Sequence, residues 1–359
     1  MTRDRIRVMV VEDSQTVRRR LCEVIASDPG FEFVGEAGDG RSAIEGCRDL
    51  RPDVVSLDMM LPVMTGQAVT EYVMAYFPTP ILVVSASTNR GELFRTYDAL
   101  AAGALDVLEK PTGLEKEGEW EARYLASLRQ VSRIRVITHI RARLAPHPPI
   151  PAGTTAVTPV PGAGGFRALA IGASTGGPGA VIEVLRSLPT GFSLPILLVL
   201  HMAEPFAQPF ADWLDGQSSH RVSYAREGDR LSEMAGRVLL APPNRHLEVQ
   251  GGLLRLSDGP ERHSCRPSVD VLFESLARSP DHPVIACLLT GMGKDGAKGL
   301  LEIRRSGGLT VAQDEATSVV WGMPREAVVL GAAERVLPLE GIGPAVVEAA
   351  VLGPSRRTP

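Results

Sequence analysis

The stretch from Ala168 to Leu185, ALAIGASTGGPGAVIEVL, reads as a buried strand, a tight small-residue turn and the opening of a helix. Ala168–Ile171 has the length and apolar character of a strand covered on both faces. Gly172-Ala173-Ser174-Thr175-Gly176-Gly177 then lets the chain turn sharply, and Pro178 suits a first helical turn. Val181, Val184, Leu185 and Leu188 follow at helical spacing. This unit is the building block of a parallel α/β sheet. Further strand-like runs at Ile196–Leu200, Val238–Ala241, Val284–Leu289 and Leu309–Ala312 repeat it.

The same rhythm fills the first 112 residues. Apolar runs at Ile6–Val11, Phe31–Ala37, Asp53–Leu57, Pro80–Ser85 and Leu105–Leu108 alternate with segments of helical spacing, such as Val17, Leu21, Val24 and Ile25. A charged helix is expected over 115–144, with Trp120, Tyr124, Leu128, Val131 and Ile134 on one face. Ala145–Gly165 is dense in Pro, Gly, Ala and Thr and reads as a semi-extended linker. The expected organisation is therefore an α/β domain over 1–112, a helical and Pro/Gly-rich linker over 113–165 and a second α/β domain over 166–354. Both domains are doubly wound parallel sheets.

Composition narrows the function classes. The 359 residues are 44% hydrophobic and 22% charged, with a net charge of −4 and an isoelectric point near 6.0. There is no basic face for nucleic acid. No window reaches the roughly 18 apolar residues that span a bilayer, and the first residues lack the apolar core of a secretory signal. A cytoplasmic protein is expected. Its four cysteines, Cys22, Cys47, Cys265 and Cys287, never form CxxC and are expected to be reduced, buried thiols.

Glu12, Asp13, Asp58, Ser85 and Lys110 each lie at or just past the carboxyl end of an expected strand in the first domain, the edge where parallel sheets bind ligands. Any one of the carboxylates alone would be read as a helix cap or a solvated turn residue. Three converging there would repel one another unless a hard cation such as Mg²⁺ sat among them. One carboxylate could then attack a phosphoryl group, while Lys110 and the Ser85 hydroxyl stabilise the transferred oxygens.

These residues resemble the response-regulator receiver family, through VVEDS at Val10–Ser14, LDMMLPVMTG at Leu57–Gly66, SAS at Ser85–Ser87 and EKP at Glu109–Pro111. The resemblance implies a flavodoxin-like fold and phosphorylation of Asp58. It also implies Mg²⁺ held by Glu12, Asp13, Asp58 and the Met60 carbonyl, with Ser85 and Lys110 sensing the phosphoryl group. One departure stands out: Val107 occupies a position where many receivers carry an aromatic switch residue.

In the second domain, Ser174 at the helix entry satisfies G-x-S-x-G, a nucleophile-elbow pattern, although a capping serine or a phosphate-binding loop would have the same letters. A serine nucleophile needs a base. His201, at the end of Ile196–Leu200, has the register to meet it, and His246 in APPNRHL is the rival; His139, His147, His220, His263 and His282 fall in connecting or polar segments. Asp295, beyond Val284–Leu289, could orient the imidazole. The order Ser, His, Asp differs from that of ordinary α/β-hydrolases. Gly291-x-Gly293-x-x-Gly296 matches a dinucleotide fingerprint in letters, but no acidic ribose partner ends the next strand; Gln313-Asp314 comes nearest.

GASTGG, VLHM at Val199–Met202, CRPSVD at Cys265–Asp270, LLTGMGKDGA at Leu288–Ala297 and QDEATSVVWGMP at Gln313–Pro324 resemble the CheB family of chemotaxis protein-glutamate methylesterases. The resemblance implies a Rossmann-like catalytic domain with Ser174, His201 and Asp295 as a triad. Thr175 and the Met292 main chain would lie beside the oxyanion, Arg266 would help bind substrate, and the esterase would need no cofactor. It further implies methyl-accepting chemotaxis receptors as substrates and a chemotaxis histidine kinase as phosphodonor. Deamidation of receptor glutamines, a monomeric state and inhibition by the unphosphorylated receiver are the remaining expectations. A signalling scaffold without activity, or a hydrolase of small esters, would be the alternatives.

Overall fold

A computed structural model describes residues 5–86, 90–111, 113–134, 136, 165–202, 205–278 and 283–354. Ser87 of the SAS segment, His139, His147, His282 and all of the Pro/Gly-rich stretch but Gly165 lie outside the described residues. The chain divides into two compact units, Met1–Ile150 and Pro151–Pro359.

In the first unit, β1 (Ile6–Val11), β2 (Phe31–Ala37), β3 (Val54–Leu57), β4 (Ile81–Ser85) and β5 (Asp106–Glu109) form one parallel sheet in the order β2-β1-β3-β4-β5. That order places a topological switch beside β1. The helices α1 (Gln15–Ser27), α2 (Gly40–Leu50), α3 (Gly66–Tyr76) and α4 (Arg90–Ala101) alternate with the strands. Side chains at their starts do the capping: Asp39 accepts from Arg41 and Ser42 at α2, and Thr65 accepts from Ala68 at α3.

The helix expected between the domains belongs instead to this sheet. It runs as α5 (Glu119–Val131), and Trp120, Tyr124, Leu128 and Val131 are all buried. Its apolar stripe needs a partner, and the open sheet face beside α1 supplies one. Arg129 ties it to Asp28 at 2.8 Å, and Trp120 Nε1 donates to the Glu109 carbonyl at 2.7 Å. Residues 137–144 of the expected helix lie outside the described residues.

The second unit is built on a seven-stranded parallel sheet. Its strands are β6 (Leu169–Ala173), β7 (Ile196–Leu200), β8 (Val222–Tyr224), β9 (Val238–Leu240), β12 (Ile285–Leu288), β13 (Leu309–Gln313) and β14 (Arg335–Leu337), in the order β14-β13-β12-β6-β7-β9-β8. The chain enters at β6, winds out through β7, then returns to build the other half from β12. The crevice at the carboxyl end of β6 is thus the switch point. A small antiparallel hairpin, β10 (His246–Gln250) with β11 (Leu253–Ser257), stands apart from this sheet and packs on α8 (Val269–Ala277). Edge strands β8 and β14 and this hairpin carry no long apolar run, so periodicity alone did not mark them.

The turn quoted at the outset folds as expected in type, with one refinement. The N-cap of α6 (Gly177–Ser187) is Gly176 at φ 76°, not Ser174, and no side chain caps it. Ser174 therefore keeps its hydroxyl out of the helix, while its carbonyl accepts from Gly177 at 2.6 Å. A Cβ on Gly176 would stand 2.5 Å from Val319 Cβ. Gly176→Ala combines left-handed strain with that collision, and should lower the stability of the second unit by about 2 kcal/mol or more, read as an earlier denaturant transition for that unit alone.

Candidate functional site

The first pocket forms where β1, β3, β4 and β5 end. Lys110 Nζ stands 2.9 Å from Glu12 Oε2 and 3.0 Å from Asp58 Oδ2. Carboxylate oxygens of Glu12, Asp13 and Asp58 lie within 4.8 Å of one another, and Asp58 Oδ1 is buried without a hydrogen bond. Burial first, and then the charge of Asp58, push the Glu12 carboxyl up to about 7 despite Lys110. Burial disfavours the Lys110 ammonium, yet its bonds to Glu12 and Asp58 hold its pKa above the ordinary value. An oxygen set with surplus negative charge, in which Glu12 Oε2 and Asp58 Oδ1 are buried without a hydrogen bond, has the chemistry that could hold a hard divalent cation.

Ser85, the last residue of β4, is fully buried, but its hydroxyl donates to Glu92 Oε1 at 3.0 Å and accepts from Thr96 at 3.4 Å. Glu92 and Thr96 are on α4, and neither stood out in the sequence. Met60 follows Asp58 with its side chain 43% exposed and its sulfur 3.1 Å from Arg95 Nη1. Val107 is buried within β5.

The second pocket lies at the switch point of the larger sheet. Ala173 and Leu200 are paired across β6 and β7, so Ser174 and His201 follow at adjacent strand ends. The His201 N–H donates to the Ala173 carbonyl at 3.1 Å, and that of Ser174 to Thr290 at 3.0 Å. His201 Nε2 meets Asp295 Oδ2 at 2.9 Å. Asp295, 2% exposed, also accepts from the Ser268 hydroxyl and the Val269 N–H at 2.7 Å each, and from the Asp270 N–H at 3.1 Å. The carboxylate thus caps the N-terminus of α8, where oriented N–H groups favour negative charge. Burial opposes its ionisation; His201, Ser268 and the helix N–H groups overcome this and hold its pKa below the ordinary range.

For His201, burial works against the imidazolium. The hydrogen bond to Asp295 and then contact with the Cys265 sulfur outweigh it, and the pKa rises to about 9. Cys265 Sγ is 3.7 Å from Nδ1. Among the described residues no hydrogen bond joins the Ser174 hydroxyl to His201, nor does any take the N–H of Thr175 or Met292. Arg266 reaches the Gly259 carbonyl at 3.1 Å and the Asp258 carbonyl at 3.5 Å; it makes no ion pair among the described residues.

His246, the rival base, is accounted for by structure. Its Nδ1 accepts from the Ser268 N–H and its Nε2 meets the Pro260 carbonyl, each at 3.1 Å. The dinucleotide-like loop is spent in the same way: Asp295 turns inward to α8, and Gln313 bonds Thr290 and Thr317. Thr290, which donates to the Thr175 carbonyl at 2.9 Å, and Ser268 are the supporting residues that sequence reasoning passed over. Ser268 sits in an S-x-D start to an apolar helix, a cap signal that could have found it.

Residues 169–346 match the CheB methylesterase family, and residues 8–117 match the response regulator receiver domain family. A protein of Anaeromyxobacter dehalogenans named protein-glutamate methylesterase/protein-glutamine glutaminase 2 is 45% identical over 343 residues, covering 96% of each chain. A Pseudomonas aeruginosa protein of the same name is 44% identical over 351 residues, covering 96% of this chain and 97% of its own. The crystal structure of the Thermotoga maritima CheB methylesterase catalytic domain, 35% identical, covers 51% of this chain and 98% of its own at a TM-score of 0.48.

The Glu12 carboxyl gives the first pocket a pH signature. With its pKa raised to about 7, it is protonated in mild acid and ionised in mild base. Mg²⁺ affinity should climb between about pH 6 and about pH 8 and then level off, and Glu12→Gln should flatten the curve. A Mg²⁺ titration at several pH values measures this; a flat wild-type curve would contradict it.

Proposed function

This chain belongs to the CheB methylesterase family, and we propose that it is a phosphorylation-activated protein-glutamate methylesterase acting on glutamyl methyl esters of methyl-accepting chemotaxis receptors. The observation that carries the reading is the buried His201–Asp295 pair, at 2.9 Å, beside the strand end that presents Ser174.

Ser174 is the nucleophile, His201 the general base and Asp295 the group that orients and charges the imidazole. Because Nε2 is committed to Asp295, Nδ1 is the nitrogen that takes the Ser174 proton. As that proton moves, Ser174 Oγ bonds to the ester carbon, and the N–H groups of Thr175 and Met292 receive the developing oxyanion. The protonated Nδ1 then delivers its proton to the methoxy oxygen, the C–O bond breaks and methanol leaves. Water attacks the glutamyl-enzyme by the same route in reverse, which frees the glutamate and Ser174. With a glutamine side chain, Nδ1 delivers its proton to the amide nitrogen and ammonia leaves in place of methanol, so deamidation of receptor glutamines uses the same glutamyl-enzyme. Arg266 helps to bind the receptor segment.

In the receiver domain, Asp58 accepts the phosphoryl group from a chemotaxis histidine kinase. Mg²⁺, when held by Glu12, Asp13, Asp58 and the Met60 carbonyl, offsets the charge of the incoming group. Lys110 already contacts Asp58 at 3.0 Å and is positioned to bind a phosphoryl oxygen. Ser85 does so after releasing Glu92. The protein acts in the cytoplasm as a monomer; among the described residues no helix is long and apolar enough to cross a membrane.

Methanol release from a methylated receptor fragment tests this assignment. It should rise when a small-molecule phosphodonor and Mg²⁺ are added, and the rise should vanish in Asp58→Asn. Ser174→Ala should lower turnover by several orders of magnitude, on the order of 10⁶ if the triad acts as a unit; near-normal turnover in that variant would refute the nucleophile. Since His201 must lose its proton to act and its pKa is raised to about 9, kcat/KM should climb with pH and reach its plateau only above about 9. A plateau already reached at neutral pH would count against this base.

A further inference from the structure

The Nδ1 edge of His201 faces a second nucleophilic atom, the sulfur of Cys265, at 3.7 Å. An ionised carboxylate at Nε2 fixes the neutral ring with its proton there, which leaves the lone pair on Nδ1, the nitrogen that the sulfur approaches. A carboxylate on the far nitrogen is also the usual outer support of a histidine that ligates a metal. The separation fits as well: a tetrahedral ion with bonds of about 2.0 Å to nitrogen and about 2.3 Å to sulfur spaces those ligands about 3.6 Å apart.

Cys265 is held firmly in that place. It closes a tight turn with Arg262, their backbones bonding at 2.9 and 3.1 Å. His263 and Ser264 at its tip have φ of 53° and 59°. Arg262 grips Glu274 through two bonds of 2.9 and 2.8 Å, and His263 Nε2 meets Asp270 Oδ2 at 3.1 Å. Both anchors lie on α8, the helix whose first N–H groups hold Asp295. One rigid element therefore sets both the thiol and the support of the imidazole.

We propose that His201 Nδ1 and Cys265 Sγ form a binding site for a soft divalent cation, with Zn²⁺ as the reference ion, and that occupancy switches the esterase off. The switching clause rests on the assignment of His201 as the base. On binding, the thiol proton and the Nδ1 proton of the charged ring pass to buffer, and bonds form from the metal to Sγ and to Nδ1. Water or the Ser174 hydroxyl oxygen fills the remaining positions, and no oxidation state changes. With its lone pair committed to the metal, Nδ1 cannot take the Ser174 proton. Mg²⁺ does not compete, because a hard ion prefers the all-oxygen pocket of the receiver. The other cysteines offer no such pairing: Cys47 and Cys287 are buried, and Cys22 lies against Glu36.

The full-length chain in Mg²⁺ buffer, titrated with Co²⁺ as a spectroscopic stand-in, should develop a thiolate-to-cobalt absorption band. Cys265→Ser should lack the band. Methanol release should fall at micromolar Zn²⁺ and return with a zinc-selective chelator. Measured against its own zinc-free rate, Cys265→Ser should need at least about tenfold more Zn²⁺ for the same fractional inhibition. No band in the wild type, a band that persists in Cys265→Ser, or equal zinc sensitivity of the two proteins would overturn the proposal. Were the wild type to release no methanol, the esterase assignment would fail while the cobalt spectra still decided the cation site.

Discussion

The catalytic half depends on how one buried carboxylate is satisfied. A charge with 2% exposure is tolerable only if its lone pairs are met. For Asp295 they are met by a serine hydroxyl, two N–H groups of α8 and an imidazole. The helix dipole and the charge favour each other, so the carboxylate anchors β12, α8 and β7 at a single point. The orientation of His201 follows from this anchor. So does the identity of the ring nitrogen that the carboxylate leaves free.

The receiver pocket obeys the opposite logic. There the carboxylates are crowded rather than satisfied, with one ammonium shared between Glu12 and Asp58 and one Asp58 oxygen left bare. Charge that is under-compensated at rest favours positive charge beside it. The two sites share a sheet edge as their address and differ in whether the fold completes or withholds the counter-charge.

Much of this was legible from residue order. Central strands announced themselves because strands buried on both faces must be continuously apolar, and their ends led to Glu12, Asp13, Asp58 and Lys110 in one pocket and to Ser174, His201 and Asp295 in the other. What escaped was held by short or local interactions. The hairpin β10–β11 and the edge strands β8 and β14 are too short and too polar for periodicity. Ser268, Thr290 and Glu92 act through hydrogen bonds to residues 27, 115 and 7 positions away, and of the three only Ser268, as a helix cap, leaves a local signal. The helix α5 was recognised as a helix and misplaced, because an apolar stripe says that it must pack but not on what.

Gly291 and Gly322 hold the loop beside Ser174 at backbone contact. A Cβ on Gly291 would lie 2.8 Å from Ser174 Cβ and 2.4 Å from Met323 Sδ, and one on Gly322 would lie 2.6 Å from the Gly291 carbonyl oxygen. Two chain segments that meet without side chains between them cannot be altered singly by small steps. Sequence drift through this part of the molecule is therefore confined to paired changes, which are rare. Tracing distant descendants of this hydrolase would do well to weigh those two glycines beside its reactive groups, since chemistry can be lost while the seat that held it stays.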